Sequence, residues 1–181
     1  MPTIVHEFAW PDRVVVGTVG RPGSRTFYLQ VRAGDRLVSV ALEKEQSALL
    51  GEKVDEILDE LMASEDNPVT IPTETPVELV DNDPLELPVE ERFRTGAMTL
   101  GWDPTTAQVV IEVYPLVDEV EEFEPLESEP DEVLLVRIPV GTARAFAKRT
   151  LEIVGAGRRI CPLCGQPMDP DGHDCAGLDS F

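Results

Sequence analysis

The sequence predicts an α+β fold built as two β-β-β-α halves, with antiparallel strands in each half and a closing helix. Three observations carry this. Residues 13–42 and 91–139 hold short strand-like stretches joined by turn-rich links. Each cluster runs into a segment whose apolar residues recur at helical spacing. Between them lies a segment, 64–90, with five of the sixteen prolines, which cannot be helical.

The first half opens near His6, beside a first strand, and continues with RVVVGTV at 13–19, an apolar run ending in a Gly-rich turn. In the next strand Phe27, Leu29 and Val31 share one face, while Thr26, Tyr28, Gln30 and Arg32 share the other. The turn AGDR leads into RLVSVAL, and the short links make the three strands an antiparallel meander. A helix is expected over about 43–62, with Leu50, Val54, Ile57 and Leu61 on one stripe and Leu58 beside them. Glu43 and Glu45 fall in its first turn, where the helix dipole favours negative charge.

The Pro-rich arm 64–90 carries the apolar pairs Val69 and Ile71, Val77 and Leu79, and Leu85 and Leu87, the pattern of an extended segment that docks at intervals. The second half repeats the order: strand ERFRTGAMTLGW, turn DPTT, strand AQVVIEVY, strand VLLVRIP. A helix follows over about 142–154, with Ala143, Ala147, Leu151 and Val154 on one side. The halves share little identity and read as a structural duplication. The insertion 117–132 has nine Asp or Glu among sixteen residues, a self-repelling and solvated composition in which Phe123 and Leu126 would be docking residues for a partner. The organisation expected is therefore a body, 1–157, made of halves 1–63 and 91–157, followed by a tail, 158–181.

Composition narrows the function. With 181 residues and 42% hydrophobic content the chain can bury a core. Its net charge of −20 disfavours nucleic acid and anionic membrane surfaces as partners, because both are polyanions. No apolar run approaches the ~20 residues of a membrane-spanning helix. MPTIVHEFAW has neither a basic start nor an apolar core, so no signal peptide is expected and the cytoplasm is the expected location. All three cysteines lie in one stretch, which argues against a disulfide framework.

That stretch is CPLCGQPMDPDGHDC, residues 161–175. Zinc takes four tetrahedral ligands, typically thiolates and imidazoles. Cys161 and Cys164 have the two-residue gap that lets one tight turn offer both sulfurs to one ion, with Pro162 stiffening the turn and Gly165 letting the chain reverse. His173 and Cys175, one residue apart, supply the third and fourth ligands from one side of an extended segment. A redox CxxC would follow a strand and open a helix, whereas this one follows a helix and opens a Pro/Gly loop. A zinc deaminase would need an HxE upstream, and none occurs. Four protein ligands leave no open position, so a structural Zn2+ in a zinc-knuckle tail is expected.

Two anion-site candidates arise. The loop GTVGRPGSRT, residues 17–26, could hold an anion through Arg21, Ser24 and Arg25, although it leads into a strand, and a Pro22-Gly23 hairpin turn explains it without a ligand. Arg144, Lys148, Arg149, Arg158 and Arg159 form one basic cluster in an acidic chain, read either as dipole compensation paired with acids or as an anion site beside the zinc. No Ser-His-Asp arrangement or paired catalytic carboxylates are recognisable, and the sequence leans away from an enzyme.

Several stretches spread over nearly the whole chain resemble an uncharacterised actinobacterial family, domain-of-unknown-function family 3090. They are PDRVVVGTVGRPGSRTFYLQVRAG, VALEKEQ, FRTGAMTLGWD and ARAFAKRTLEIVGAGRRICPLCGQPMDPDGHDC. Members resembling this chain continue past the last Cys with a Pro-Arg-Asn-Gly type tail, where this chain runs AGLDSF. The resemblance implies gene neighbours that are kinase-like and phosphatase-like, and hence a shared pathway. Two function classes follow. One is a non-enzymatic binding or adaptor protein with structural zinc and a protein partner, such as the kinase-like or phosphatase-like one. The other is an enzyme or carrier for a phosphorylated small molecule, sited at the 17–26 loop with Arg94 or Arg137.

Overall fold

A computed structural model describes residues 3–20, 24–65, 70–116 and 132–155. The strands are β1 (Ile4–Phe8), β2 (Arg13–Val19), β3 (Thr26–Ala33), β4 (Arg36–Leu42), β5 (Glu91–Asp103), β6 (Gln108–Pro115) and β7 (Glu132–Pro139). The helices are α1 (Lys44–Ala63) and α2 (Val140–Gly155), and a single 3-10 turn, Val77–Leu79, lies in the arm. Both meanders form as expected: β2-β3-β4 and β5-β6-β7 are antiparallel. The sheet as a whole is mixed, because β4 pairs β5 in parallel and β1 pairs β7 in parallel. The last strand of the first meander thus meets the first strand of the second, and both halves share one seven-stranded sheet.

That sheet has to curl. Its order is β1-β7-β6-β5-β4-β3-β2, so consecutive strands β1 and β2 occupy opposite edges. Seven strands laid flat put the edges about 29 Å apart at ~4.8 Å per strand. The link from Phe8 to Arg13 is five Cα steps and reaches at most ~18 Å. Contacts across the sheet confirm the closure: Arg36, at the start of β4, donates to Glu7 O on β1 (3.0 Å) and places its guanidinium 4.4 Å from the Phe8 ring centroid. Gln108 Nε2 on β6 donates to Ala9 O at 2.8 Å.

The bend is made in β5, whose first residues pair β4 while Thr95–Asp103 pair β6. The register shifts between Thr95 and Met98, the irregularity by which a strand passes from one sheet direction to another. Gly96 is required there, since a Cβ would sit 2.9 Å from both the Leu116 Cα and the Pro115 carbonyl oxygen. Gln46, in the first turn of α1, ties the helix to this corner. Its Nε2 donates to Thr95 O (3.1 Å) and Gly96 O (3.0 Å), and its Oε1 accepts from Glu43 N (2.8 Å).

One face of the strands lines the core, with Val14, Val16, Phe27, Leu29, Val31, Val40 and Leu42 from the first half. Val109, Ile111, Val113, Leu134, Val136 and Ile138 continue it in the second. Leu50, Val54 and Leu58 of α1 and Ala143, Phe146 and Ala147 of α2 join the same cluster. The α1 stripe matches its helical spacing. The two helices cross at Gly51, where a Cβ would lie 3.1–3.2 Å from Leu151 and Thr150.

The arm docks where Ile71 and Leu85 are buried, whereas Val77 and Leu87 remain 86% and 80% exposed. Gln30, on the outer face of β3, meets it with a reciprocal pair: Nε2 donates to Glu86 O (3.1 Å) and Oε1 accepts from Glu86 N (2.8 Å). The arm thereby gains a ladder-like contact without being a strand.

Candidate functional site

The arm is anchored by three arginines. On α2, Arg144 Nε donates to Pro72 O (2.7 Å), Nη1 to Asp55 Oδ1 (2.9 Å) and Nη2 to Asp59 Oδ1 (2.7 Å). It therefore fastens α1, α2 and the arm with one planar group, a geometry lysine cannot reproduce. Thr75 of the arm returns a bond to Arg144 O.

The second anchor is a cluster around Asp81. Arg13 on β2 grips that carboxylate with Nε to Oδ2 (2.7 Å) and Nη2 to Oδ1 (3.1 Å), and Nη2 also donates to Asp83 O and Pro84 O. From the opposite side Arg149 Nη1 donates to Asp81 O (2.7 Å) and reaches Oδ1 at 3.4 Å, while its Nε donates to Val16 O (3.0 Å). The hydrogen bond from Arg13 holds the Asp81 carboxyl below the usual carboxylate range, against a smaller opposing effect of burial. The same bond raises Arg13. Burial lowers Arg149, and the charge of Asp81 only partly offsets it.

Two concavities meet at this cluster. A pocket of about 100 Å³ runs between β2, the arm and α2, lined by Arg13, Arg149, Asp12, Asp81, Thr142 and Phe146 among others. An open groove of about 500 Å³ continues from it along Arg32, Asp83, Pro84 and Glu86. Arg32 Nε and Glu86 Oε2 are buried in that region without a hydrogen-bond partner. A third concavity, also about 500 Å³, lies on α1 and is bordered by Glu52, Asp55, Glu56, Asp59 and Glu60, with Leu151 of α2.

The expected zinc ligands Cys161, Cys164, His173 and Cys175 lie outside the described residues, as do Arg21, Arg158, Arg159 and the acidic insertion up to residue 131. Among the described residues no group of three or more His, Cys, Asp or Glu is arranged to hold a metal. Ser24 is exposed, and Arg25 donates to Ile153 O of α2 (2.8 Å) with its guanidinium 4.9 Å from the Phe27 ring centroid. Arg94 pairs with Glu43 (2.7 Å) and Arg137 with Asp103 (2.8 Å), so both are committed to carboxylates. Of the basic cluster read on and after the second helix, Arg144 and Arg149 are buried and Lys148 is exposed. Arg144 follows the reading in which these arginines pair with nearby acids.

Sequence reasoning did not single out Arg13 or Asp81. Their partners lie 68 residues away along the chain, and local periodicity carries no trace of such a pair. A usable signal was Arg149, three residues after Phe146 on the buried side of α2, a position where a cation needs a partner.

The fold defines an α+β protein with one curled, mixed, seven-stranded sheet, two packed helices and an arm strapped down by arginines. The chain belongs to a family described as proteins of unknown function, DUF3090, whose model matches residues 6–175. No curated protein and no solved structure matches it.

Proposed function

We propose that this chain is a non-enzymatic cytoplasmic binding or adaptor protein, with a structural zinc in its C-terminal segment and another protein as its partner. The observation that carries the reading is the concentration of every cysteine and one of two histidines in residues 161–175, shortly after α2. Three thiolates and one imidazole form a closed tetrahedral set, the composition of zinc that organises a chain. In small zinc modules such a site contributes ~10 kcal/mol or more to folding. The acid-bordered concavity on α1 supports a partner that presents basic groups, such as the kinase-like or phosphatase-like protein. The committed state of Arg94 and Arg137 weighs against a phosphorylated substrate at those positions.

Native mass spectrometry of the protein recovered gently from its own cells tests this. The expected result is a mass increment of one zinc, lost in Cys164→Ser, together with a co-purifying protein. Metal-free protein without a partner would overturn both parts. A small bound metabolite in place of a protein would replace the adaptor reading with a carrier or enzyme.

A further inference from the structure

We infer that the pocket between β2, the arm and α2 is a binding site for one tetrahedral oxoanion, either inorganic phosphate or the head group of a phosphomonoester. The inference does not depend on the zinc segment or on the adaptor reading. It rests on unmatched donors at a small concave site. The Arg149 side chain is only 9% exposed, and it spends Nε on Val16 O and Nη1 on Asp81. Its Nη2 has no hydrogen-bond partner among the described residues. Arg149 is one of the residues that line the pocket. Arg13 uses Nε and Nη2 on the arm, and its Nη1 likewise has no partner among the described residues. Thr142, in the first turn of α2, adds a hydroxyl to the same lining.

Both carboxylates that line the pocket already have partners. Asp81 is shared by the two guanidiniums, and Asp12 Oδ2 accepts from Gly34 N at 2.7 Å. Neither carboxylate accepts from Arg149 Nη2, Arg13 Nη1 or the Thr142 hydroxyl. An oxoanion supplies several oxygens at once, and guanidinium matches it with charge-assisted bonds. Size selects within that class. About 100 Å³ seats one phosphate head, and the sugar or base of a larger ester would not fit beside it. The rest of an ester would leave past Arg13 into the adjoining groove, which shares Asp12, Arg13 and Asp81 with the pocket. Asp12 and Asp81 balance the two arginines, so the site is neutral when empty and its affinity is modest, with Kd roughly 0.1–1 mM for three polar contacts. Because Asp81 and Leu79 belong to the arm, an anion seated here touches the arm, β2 and α2 together. Binding is thereby linked to arm docking, and a ligand of the folded state alone must raise stability with its concentration.

The test is thermal unfolding of the full chain against sodium phosphate, with sodium chloride matched for ionic strength, and a parallel calorimetric titration. Phosphate at about 10 mM is expected to raise Tm by roughly 3–10 °C, saturating with concentration. Ala145 also lines the pocket, one helical turn before Arg149, and Ala145→Leu puts bulk where the anion would sit, so this variant, matched to wild type for stability in chloride alone, is expected to lose the saturable shift. Thr142→Val is expected to weaken binding about 5- to 10-fold, the loss of one hydrogen bond. A shift that rises linearly without saturating, or one equally large in Ala145→Leu, is general salting by an excluded ion and overturns the proposal. A titration with glycerol 3-phosphate separates the two sources: tighter binding than phosphate marks an ester whose body lies in the groove, and equal or weaker binding marks the free ion.

Discussion

Gly17 on β2 and Leu85 on the arm lie in such close contact that a single methyl group at residue 17 displaces the leucine. A Cβ built on Gly17 would stand 2.5 Å from Leu85 Cγ and 2.6 Å from Cδ2, closer than any real contact. Leu85 is buried there, and unseating it forfeits ~1.5–3 kcal/mol of apolar burial. Against this, alanine in a strand interior is favoured over glycine by ~0.5–1 kcal/mol. Gly17→Ala should therefore cost about 1–2 kcal/mol, and Leu85→Ala about 2–3 kcal/mol. The informative measurement is the double variant. With Leu85 already cut back, the added methyl meets open space, and only the backbone preference remains. Gly17→Ala is then expected to change sign and stabilise by about 0.5 kcal/mol. Urea unfolding at 25 °C, with slopes checked for two-state behaviour, gives the four free energies of the cycle. Additive effects within about 0.3 kcal/mol would show that Leu85 does not rest on Gly17, and with that the docking of the arm over β2 would fall.

Arg144→Ala should lose about 3 kcal/mol, because it leaves Pro72 O unpaired beside a cavity and separates α1 from α2; Arg144→Lys should recover less than half, and a loss below 1 kcal/mol in urea unfolding would refute the joint. Asp81 carries a pH signature. Its folded-state pKa lies below the ordinary value, so its stabilisation is complete above that ordinary value and is lost as pH falls through the folded one. The stability gap between wild type and Asp81→Asn should stay constant from about pH 7 to about pH 5 and shrink below about pH 4, and a gap that widens on acidification would contradict the clamp.

Much of the fold was legible because it is encoded in short-range periodicity. Alternation in β3 places Phe27, Leu29 and Val31 on one face, and the register aligns them with Leu42, Val40 and Val38 of β4 on the same side. Helical spacing located the α1 stripe, and the expected span 43–62 differs by one residue at each end from Lys44–Ala63. Prolines excluded a helix from the arm, and among its described residues past the end of α1 the single turn Val77–Leu79 is all the helical structure there is. Alternation did not reveal that Gln30 and Ser39, on the opposite face, are buried as well. Gln30 meets Glu86, which arrives from 56 residues away, and Ser39 accepts from Gln30 in turn; a glutamine destined for such a partner looks no different from a solvated one.

The sequence by itself determined the elements, their order, the antiparallel meanders and the cluster of zinc-type donors at 161–175, since each of these is written in neighbouring residues or in composition. The tertiary structure alone decided how the pieces join. Parallel pairing of β4 with β5 and of β1 with β7 connects strands with 48 and 123 residues between them, and nothing in either strand names its neighbour. Closure of the sheet follows from a length, because the β1–β2 link cannot span a flat seven-stranded sheet. The arginines gained their roles the same way. Burying a guanidinium is tolerated only where acceptors from distant segments converge, and Arg149 and Arg144 find Val16, Asp81, Pro72 and Asp55 only once the chain has folded.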